Sequence, residues 1–240
     1  PRLGAPTEDE LRISIAGAQE KTGLLHHEGG WHLPQGATPT THILKLPMGE
    51  VGTVRADFST SVENEWLCAQ LMRAYGLPAA QCDIARFGRY KVLVVERFDR
   101  KWMGAGWIAR LPQEDFCQVF GVHSAQKYEE KGGPGMDEIL DKLRGSVEAE
   151  RDRRYFIAAQ LLFWMLAAPD GHAKNFSIHL LPGSRFELTP LYDVMSAWPV
   201  IGRGARQFQW QKVKLAMAVR SRTAHNAMQE VQRRHWNAGA

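Results

Sequence analysis

The sequence predicts an α+β fold in two lobes, β-rich over residues 1–98 and helical over residues 99–240. Three observations carry this reading. Alternating apolar patterns and turn dipeptides fill the first hundred residues; "VVERFDR" (94–100) ends the last of those strands as a linker; and a long helix, apolar nearly all round, follows in "DRRYFIAAQLLFWMLAA" (152–168). At 44% hydrophobic and 23% charged, the 240 residues suffice for a large globular core.

The elements follow in order. "RISIAGAQEKTGLLHHEGGWHL" (12–33) alternates through Ile13, Ile15 and then Leu24, with Gly29-Gly30 as a turn. "THILKLP" (41–47) is a short strand with Lys45 set between Leu44 and Leu46. "SVENEWLCAQLMRAYGLP" (61–78) is a helix whose Val62, Trp66, Leu67, Leu71 and Met72 recur at helical spacing, with Gly76 as C-terminal cap and Pro78 beyond it. "CDIARFGRYKVLVVERFDR" (82–100) is a hairpin turning at Gly88-Arg89 and closing on a buried strand from Val92 to Val95. After Asp99, "RLPQEDFCQVFGV" (110–122) and "MDEILDKLRGS" (136–146) read as short amphipathic helices, and "GGPG" (132–135) as a loop. Pro182-Gly183-Ser184 turns a hairpin between "FSIHLL" and "RFELTPLYDV".

The apolar run from Ile157 to Pro169 is too short to span a bilayer, and no charged segment followed by an apolar one opens the sequence. Three scattered cysteines, Cys68, Cys82 and Cys117, argue against a disulfide framework or a zinc site, so a cytoplasmic protein is expected. The net charge of +4 is uneven: from Ile201 onward eight Lys/Arg face only Glu230, which gives the tail +7 and the first 200 residues −3. Such a tail suits phosphates or an acidic partner, or is simply a solvated helical face. The sequence starts without methionine, so either a fragment of a longer protein or a chain that pairs with a separate N-terminal polypeptide is expected.

The chemistry gathers in "APDGHAKNFSIHLLPGSRFELTPLYDV" (168–194). Asn175 lies five residues after Asp170, the protein-kinase spacing between the aspartate that orients the attacking hydroxyl and a metal-binding asparagine. The hairpin that starts at Asn175 returns the chain to Asp193, and an asparagine with an aspartate suits Mg²⁺, which takes few protein ligands beside phosphate and water. The plainer reading makes Asp170 a turn cap and Asp193 a salt-bridge partner. Lys45, followed by a helix carrying Glu63 and Glu65, repeats the kinase pair of strand lysine and helix glutamate; alone it would be a strand lysine facing solvent. "SIAGAQEKT" (14–22) occupies the place of a phosphate-covering loop but is neither G-x-G-x-x-G nor a Walker A. The order of these features along the chain is that of a kinase.

"SIAGAQEKT", "TTHILKLP", "NEWLCAQL", "VLVVERFDR", "RLPQEDFCQ", "QKYE…GGPG", "DGHAKNFSI" and "LTPLYDVMSAWP" together resemble the HipA family, the serine/threonine-kinase toxins of bacterial toxin–antitoxin modules, from about residue 11 to about residue 219. The resemblance implies a bilobal protein-kinase-like fold using ATP and Mg²⁺. It implies glutamyl-tRNA synthetase as substrate, a small helix-turn-helix antitoxin (HipB-like) as partner, and DNA contact through that complex. By the same resemblance Asp170 is catalytic, Asn175 and Asp193 bind magnesium, and Lys45 binds phosphates. Ala16, Gly17, Ala18, Gln19, Glu20 and Lys21 form the loop over the nucleotide. Glu96, Arg97 and Phe98 form the adenine hinge, His172 and Lys174 belong to the nucleotide-contacting loop, and Ser14 is the site of inactivating autophosphorylation. Two departures stand out: the β-rich subdomain that precedes this core in the family, and helices that follow it, lie outside these 240 residues, and Pro169 precedes the catalytic aspartate. Two other readings remain open. One is a catalytically silent co-repressor that binds an antitoxin and DNA; the other is a kinase of small molecules or lipids.

Overall fold

The computed structural model describes residues 19–238 except 53 and 105; Ser14, Ala16, Gly17 and Ala18 lie outside the described residues. In chain order come strands β1 (Lys21–His27), β2 (Gly30–His32), β3 (His42–Lys45), β4 (Gly49–Val51) and β5 (Ala56–Phe58). Helix α1 (Ser61–Ala74) precedes β6 (Cys82–Phe87), β7 (Tyr90–Glu96), β8 (Arg100–Met103), β9 (Trp107–Arg110) and β10 (Gln113–Asp115). Then come α2 (Phe116–Val119), α3 (Met136–Leu143), α4 (Ala149–Met165), β11 (Ser177–Leu181), β12 (Arg185–Leu188), β13 (Lys214–Arg220), β14 (Ala224–Ala227) and α5 (Arg233–Ala238).

The first half is built on a five-stranded antiparallel sheet in the order β2-β1-β3-β7-β6. Lys21 pairs with Lys45, and Lys45 with Leu93, so the three share one face, while Leu44 and Val94 share the other. Helix α1 covers the lysine face through Val62, which clusters with Cys82 and Leu93. It stops where the sequence places its cap: Gly76 takes φ +78°, and Leu77 N–H closes onto the Met72 carbonyl at 3.0 Å. Its rotation differs from the apolar pattern. Leu67 is 52% exposed while Glu65 is 4% exposed. Lys45 enters the space beneath α1 from the sheet, and burying that cation requires a carboxylate in place of a leucine.

The second half mixes helix and strand around α4, whose Phe156 and Phe163 pack on Phe176 with ring centroids 4.9 and 5.7 Å apart. Two elements there depart from the sequence patterns. The segment 110–122 was expected as a helix, but Gln113–Asp115 is a strand, because its backbone pairs with β11 in the sheet β10-β11-β12. Only four helical residues follow, started by a capping box between Asp115 and Gln118. Most of the basic tail is not a solvated helix either: Leu215 to Val219 are buried in succession in the β13-β14 hairpin. Of its bases only Arg233 and Arg234 lie exposed on an α-helix, α5. Three of its bases are matched internally, Lys214 by Glu130, Arg220 by Glu129 and Asp137, and Arg206 by Glu50. Among the described residues no helix is long and apolar enough to cross a membrane.

Candidate active site

The site begins where α4 ends. Ala167 turns left-handed at φ +47°, Ala168 N–H returns to the Phe163 carbonyl at 2.8 Å, and Pro169 forbids another turn. After Asp170, Gly171 passes directly over the Phe163 ring. A Cβ on Gly171 would stand 2.1 Å from Phe163 Cδ2, so only glycine fits. Asp170 projects outward with its side chain 58% exposed, and its Oδ1 accepts a hydrogen bond from Tyr128. His172 turns inward: it is 3% exposed, and neither ring nitrogen has a hydrogen-bond partner among the described residues.

A short turn, Ala173–Asn175, leads into β11 and buries Asn175. The hairpin returns the chain as the sequence predicts, and Asn175 Nδ2 donates to the Asp193 carbonyl at 3.4 Å. With Nδ2 as the donor, Oδ1 is the atom a cation can take. Asp193 itself sits at φ +60°, a conformation that aspartate tolerates better than most residues. It is held from both sides. Before it, Leu191 bridges to the chain at Ala79, with Leu191 N–H to Pro78 O and Ala80 N–H to Leu191 O both at 2.8 Å. After it, Ser196 exchanges two hydrogen bonds with the Asn64 side chain of α1, at 2.7 and 2.9 Å.

Lys45 joins the two halves. Its ammonium lies 2.5 Å from Glu65 Oε1 and 2.8 Å from Asp193 Oδ1. Glu63, the other glutamate on the helix, instead pairs with Lys91 at the surface. Burial alone would lower the Lys45 pKa, but the two carboxylates outweigh it and raise it above the ordinary lysine value. Asp193 is likewise pushed up by burial, yet the Lys45 contact holds its carboxyl below the usual aspartate value. Glu65, fully enclosed and beside Asp193, is driven up by burial. Of the two carboxylates the Asp193 side chain is 37% exposed and that of Glu65 6%, so Asp193 is the one a metal can reach. Among the described residues no cluster of three His, Cys, Asp or Glu side chains is arranged for a metal. The Asn175–Asp193 pair fits an ion that brings its remaining ligands as phosphate and water.

The other candidate residues divide. Gln19 anchors the end of its loop to the Leu46 carbonyl at 2.6 Å, and the Glu20 carbonyl accepts the Leu46 N–H at 3.1 Å. Burial lowers the Lys21 pKa, with Asp193 pulling it the other way. The Glu96 and Arg97 N–H groups are occupied by the Gln81 and Thr41 carbonyls, and Phe98 packs against His179 and Tyr192. Arg97 grips buried Asp99 with two hydrogen bonds, at 3.0 and 2.8 Å, and Arg100 adds a third. Lys174 is held by Asp115 at 2.9 Å, so its charge is already matched within the protein.

Burial pushes the imidazoles of His172 and His179 below their ordinary pKa, against the pull of Asp170 on the first and of Glu187 on the second. Unfolded histidine titrates near 6.5, so below that pH the unfolded chain binds more protons than the folded one. Stability is therefore expected to be full above about pH 6.5 and to fall as the pH drops through the folded values. Urea midpoints between pH 7.5 and 5 check this: the decline should shrink in His172→Leu, and a flat profile in the parent protein would refute it.

Sequence reasoning did not assign Tyr128, Asn64 or Asp99. "QKYE" and "VENEW" contain the first two, but nothing local says that either reaches residues so distant in sequence.

Comparison with known proteins gives this geometry a family. Residues 13–238 match the HipA-like C-terminal domain. A putative kinase of Sinorhizobium fredii is 36% identical over 79% of the chain and 43% of its own length. The serine/threonine-protein kinase toxin HipA of Shewanella oneidensis is 32% identical over 77% of the chain and 43% of its own length. The chain thus spans less than half the length of these two curated relatives. The solved complex of Shewanella oneidensis HipA, HipB and operator DNA superposes with a TM-score of 0.69 at 27% identity, covering 89% of the chain and 49% of its counterpart. The Helicobacter pylori proinflammatory kinase CtkA shares the fold alone, with a TM-score of 0.52 at 12% identity over 76% of the chain and 57% of its counterpart. The buried lysine–glutamate–aspartate contact therefore sits in a kinase-like α+β fold, and the chain belongs to the HipA-like C-terminal domain family.

Proposed function

We propose that this chain is the catalytic core of an ATP- and Mg²⁺-dependent serine/threonine protein kinase, with its lobes meeting at the hinge around residues 96–99. The observation that carries the reading is Lys45, held at once by Glu65 and Asp193. A buried lysine between two carboxylates has little structural reason to exist, because a well-packed apolar trio would be as stable or more so. In a kinase the same lysine meets nucleotide phosphates, and the helix glutamate holds it there.

In this reading Asp170 accepts and orients the hydroxyl of the target residue. Asn175 and Asp193 hold magnesium, which when bound neutralises charge on the phosphates. The loop 16–21 covers the nucleotide, Glu96, Arg97 and Phe98 flank adenine, His172 shapes the loop beneath it, and Ser14 takes the inactivating phosphate. By analogy with the HipA relatives, the whole protein is a cytoplasmic toxin restrained by a HipB-like helix-turn-helix antitoxin and acting on glutamyl-tRNA synthetase. DNA is met through that complex, since three of the tail's bases are already matched within the chain.

Intact mass before and after incubation with Mg-ATP tests the activity. Gain of a phosphoryl group mapped to Ser14 is expected; a protein that gains no phosphate and carried none at the start would count against the kinase. Asp193→Asn tests the metal role by calorimetry with ATP, with and without Mg²⁺. Neutralising a direct ligand should weaken Mg-dependent nucleotide binding by roughly 10–100-fold, the range seen when an outer-shell partner is removed. Unchanged Mg²⁺ dependence would remove Asp193 from the site.

A further inference from the structure

Asp170 is exposed, and an exposed carboxylate on a loop is free to rotate unless something fixes it. The structure supplies that restraint in Tyr128, 42 residues away in sequence, whose phenol donates to Asp170 Oδ1. The Tyr128 ring stands edge-on to His172 with centroids 5.1 Å apart, and the ammonium groups of Lys127 and Lys131 lie 5.1 and 5.5 Å from its centre.

The segment that carries Tyr128 is itself anchored. The Lys127 carbonyl accepts Ala173 N–H at 3.3 Å, next to the Asp170 loop, and the Tyr128 carbonyl accepts Gly133 N–H at 3.0 Å. At Gly133 a Cβ would stand 2.1 Å from the Gln126 carbonyl oxygen, so the turn closes only over glycine. On the other flank Glu129 accepts the Ala218 N–H of β13 at 2.5 Å and pairs with Arg220. Burial, then the Asp170 bond, push the Tyr128 phenol above the ordinary tyrosine pKa, so it acts as a neutral donor. Asp170, Glu130, His172, Lys127 and Lys131 are the ionisable groups that face it.

We propose that Tyr128 is a positioning residue: its phenol pins one oxygen of the Asp170 carboxylate so that the other faces the hydroxyl acceptor. The proposal rests on the kinase reading above. Positioning errors of about an ångström cost rate without costing affinity, up to roughly 10²-fold.

Tyr128→Phe keeps the ring and its packing and removes only the donor. With phosphoryl transfer followed by intact mass over a range of Mg-ATP, the maximal rate is expected to fall about 10–10²-fold. The half-saturating Mg-ATP concentration should stay where it was. An unchanged rate overturns the proposal, and so does a loss that appears only as weaker nucleotide binding. A second measurement needs no activity. In ultraviolet difference titration against Tyr128→Phe, the Tyr128 phenol should resist ionisation through the pH near 10 at which free tyrosine titrates, and Asp170→Asn should bring it down. Ordinary ionisation in the parent protein means that the bond is not made and ends the proposal. Failure of the kinase reading looks different: the parent chain transfers nothing although the phenol resists ionisation, which overturns the role along with the activity.

Discussion

Asp170→Asn is expected to reduce phosphoryl transfer by about 10²–10⁴-fold, the range that a positioned acid–base group supplies, while leaving Mg-ATP binding intact. The side chain projects outward from a loop whose position is fixed by Phe163, Gly171 and the end of α4. Asparagine has nearly the same shape, so the fold and the Lys45 contact should survive. What goes is the charge that, in the proposed mechanism, draws the hydroxyl proton. Rapid-quench transfer rates beside calorimetric ATP affinity separate the two. If affinity falls as far as rate, Asp170 belongs to the nucleotide site; if neither changes, the acceptor is oriented by another group.

Lys45→Met is expected to destabilise the protein by about 3–5 kcal/mol, because it strands a buried carboxylate without its counter-charge. Among the described residues Glu65 has only this hydrogen-bonding partner: its Oε1 takes the ammonium, and Oε2 is buried without one. The double variant Lys45→Met with Glu65→Gln removes the more deeply buried of the two stranded charges, leaving the part-exposed Asp193, and should recover a large part of that loss, while neither variant binds ATP. Urea unfolding gives the first number and calorimetry the second. A single variant as stable as the parent protein would mean that Glu65 is neutral or wet, contrary to the enclosed contact seen here.

The parts legible in the sequence were the local ones. The interval from Asp170 to Asn175 and the hairpin that returns to Asp193 depend on a turn and a register, which short-range patterns fix. Lys45 stood out because two leucines flank it. The choice between Glu63 and Glu65 did not, since the apolar residues of α1 imply a rotation that puts Leu67 inside, and a single buried ion pair overrides it. Strand β10 was hidden because its pairing with β11 spans the chain, and an amphipathic run of that length suits either structure. The five buried residues of β13 were hidden for a related reason: a strand covered on both faces shows no alternation. Tyr128 is a loop tyrosine whose partner lies far along the chain, and spacing carries no trace of that.

The paired hydrogen bonds between Asn64 and Ser196 bear on which small molecules could occupy the cleft. Asn64 adjoins Glu65, and Ser196 lies three residues after Asp193, so the clasp ties together the two elements that share Lys45. A compound that needs α1 swung outward would have to break both bonds, about 0.5–1.5 kcal/mol each, as well as the ion pair. Compounds shaped to the closed arrangement meet no such cost. If the proposed nucleotide site is right, screening against this chain should therefore favour competitors of nucleotide over ligands that wedge the helix aside.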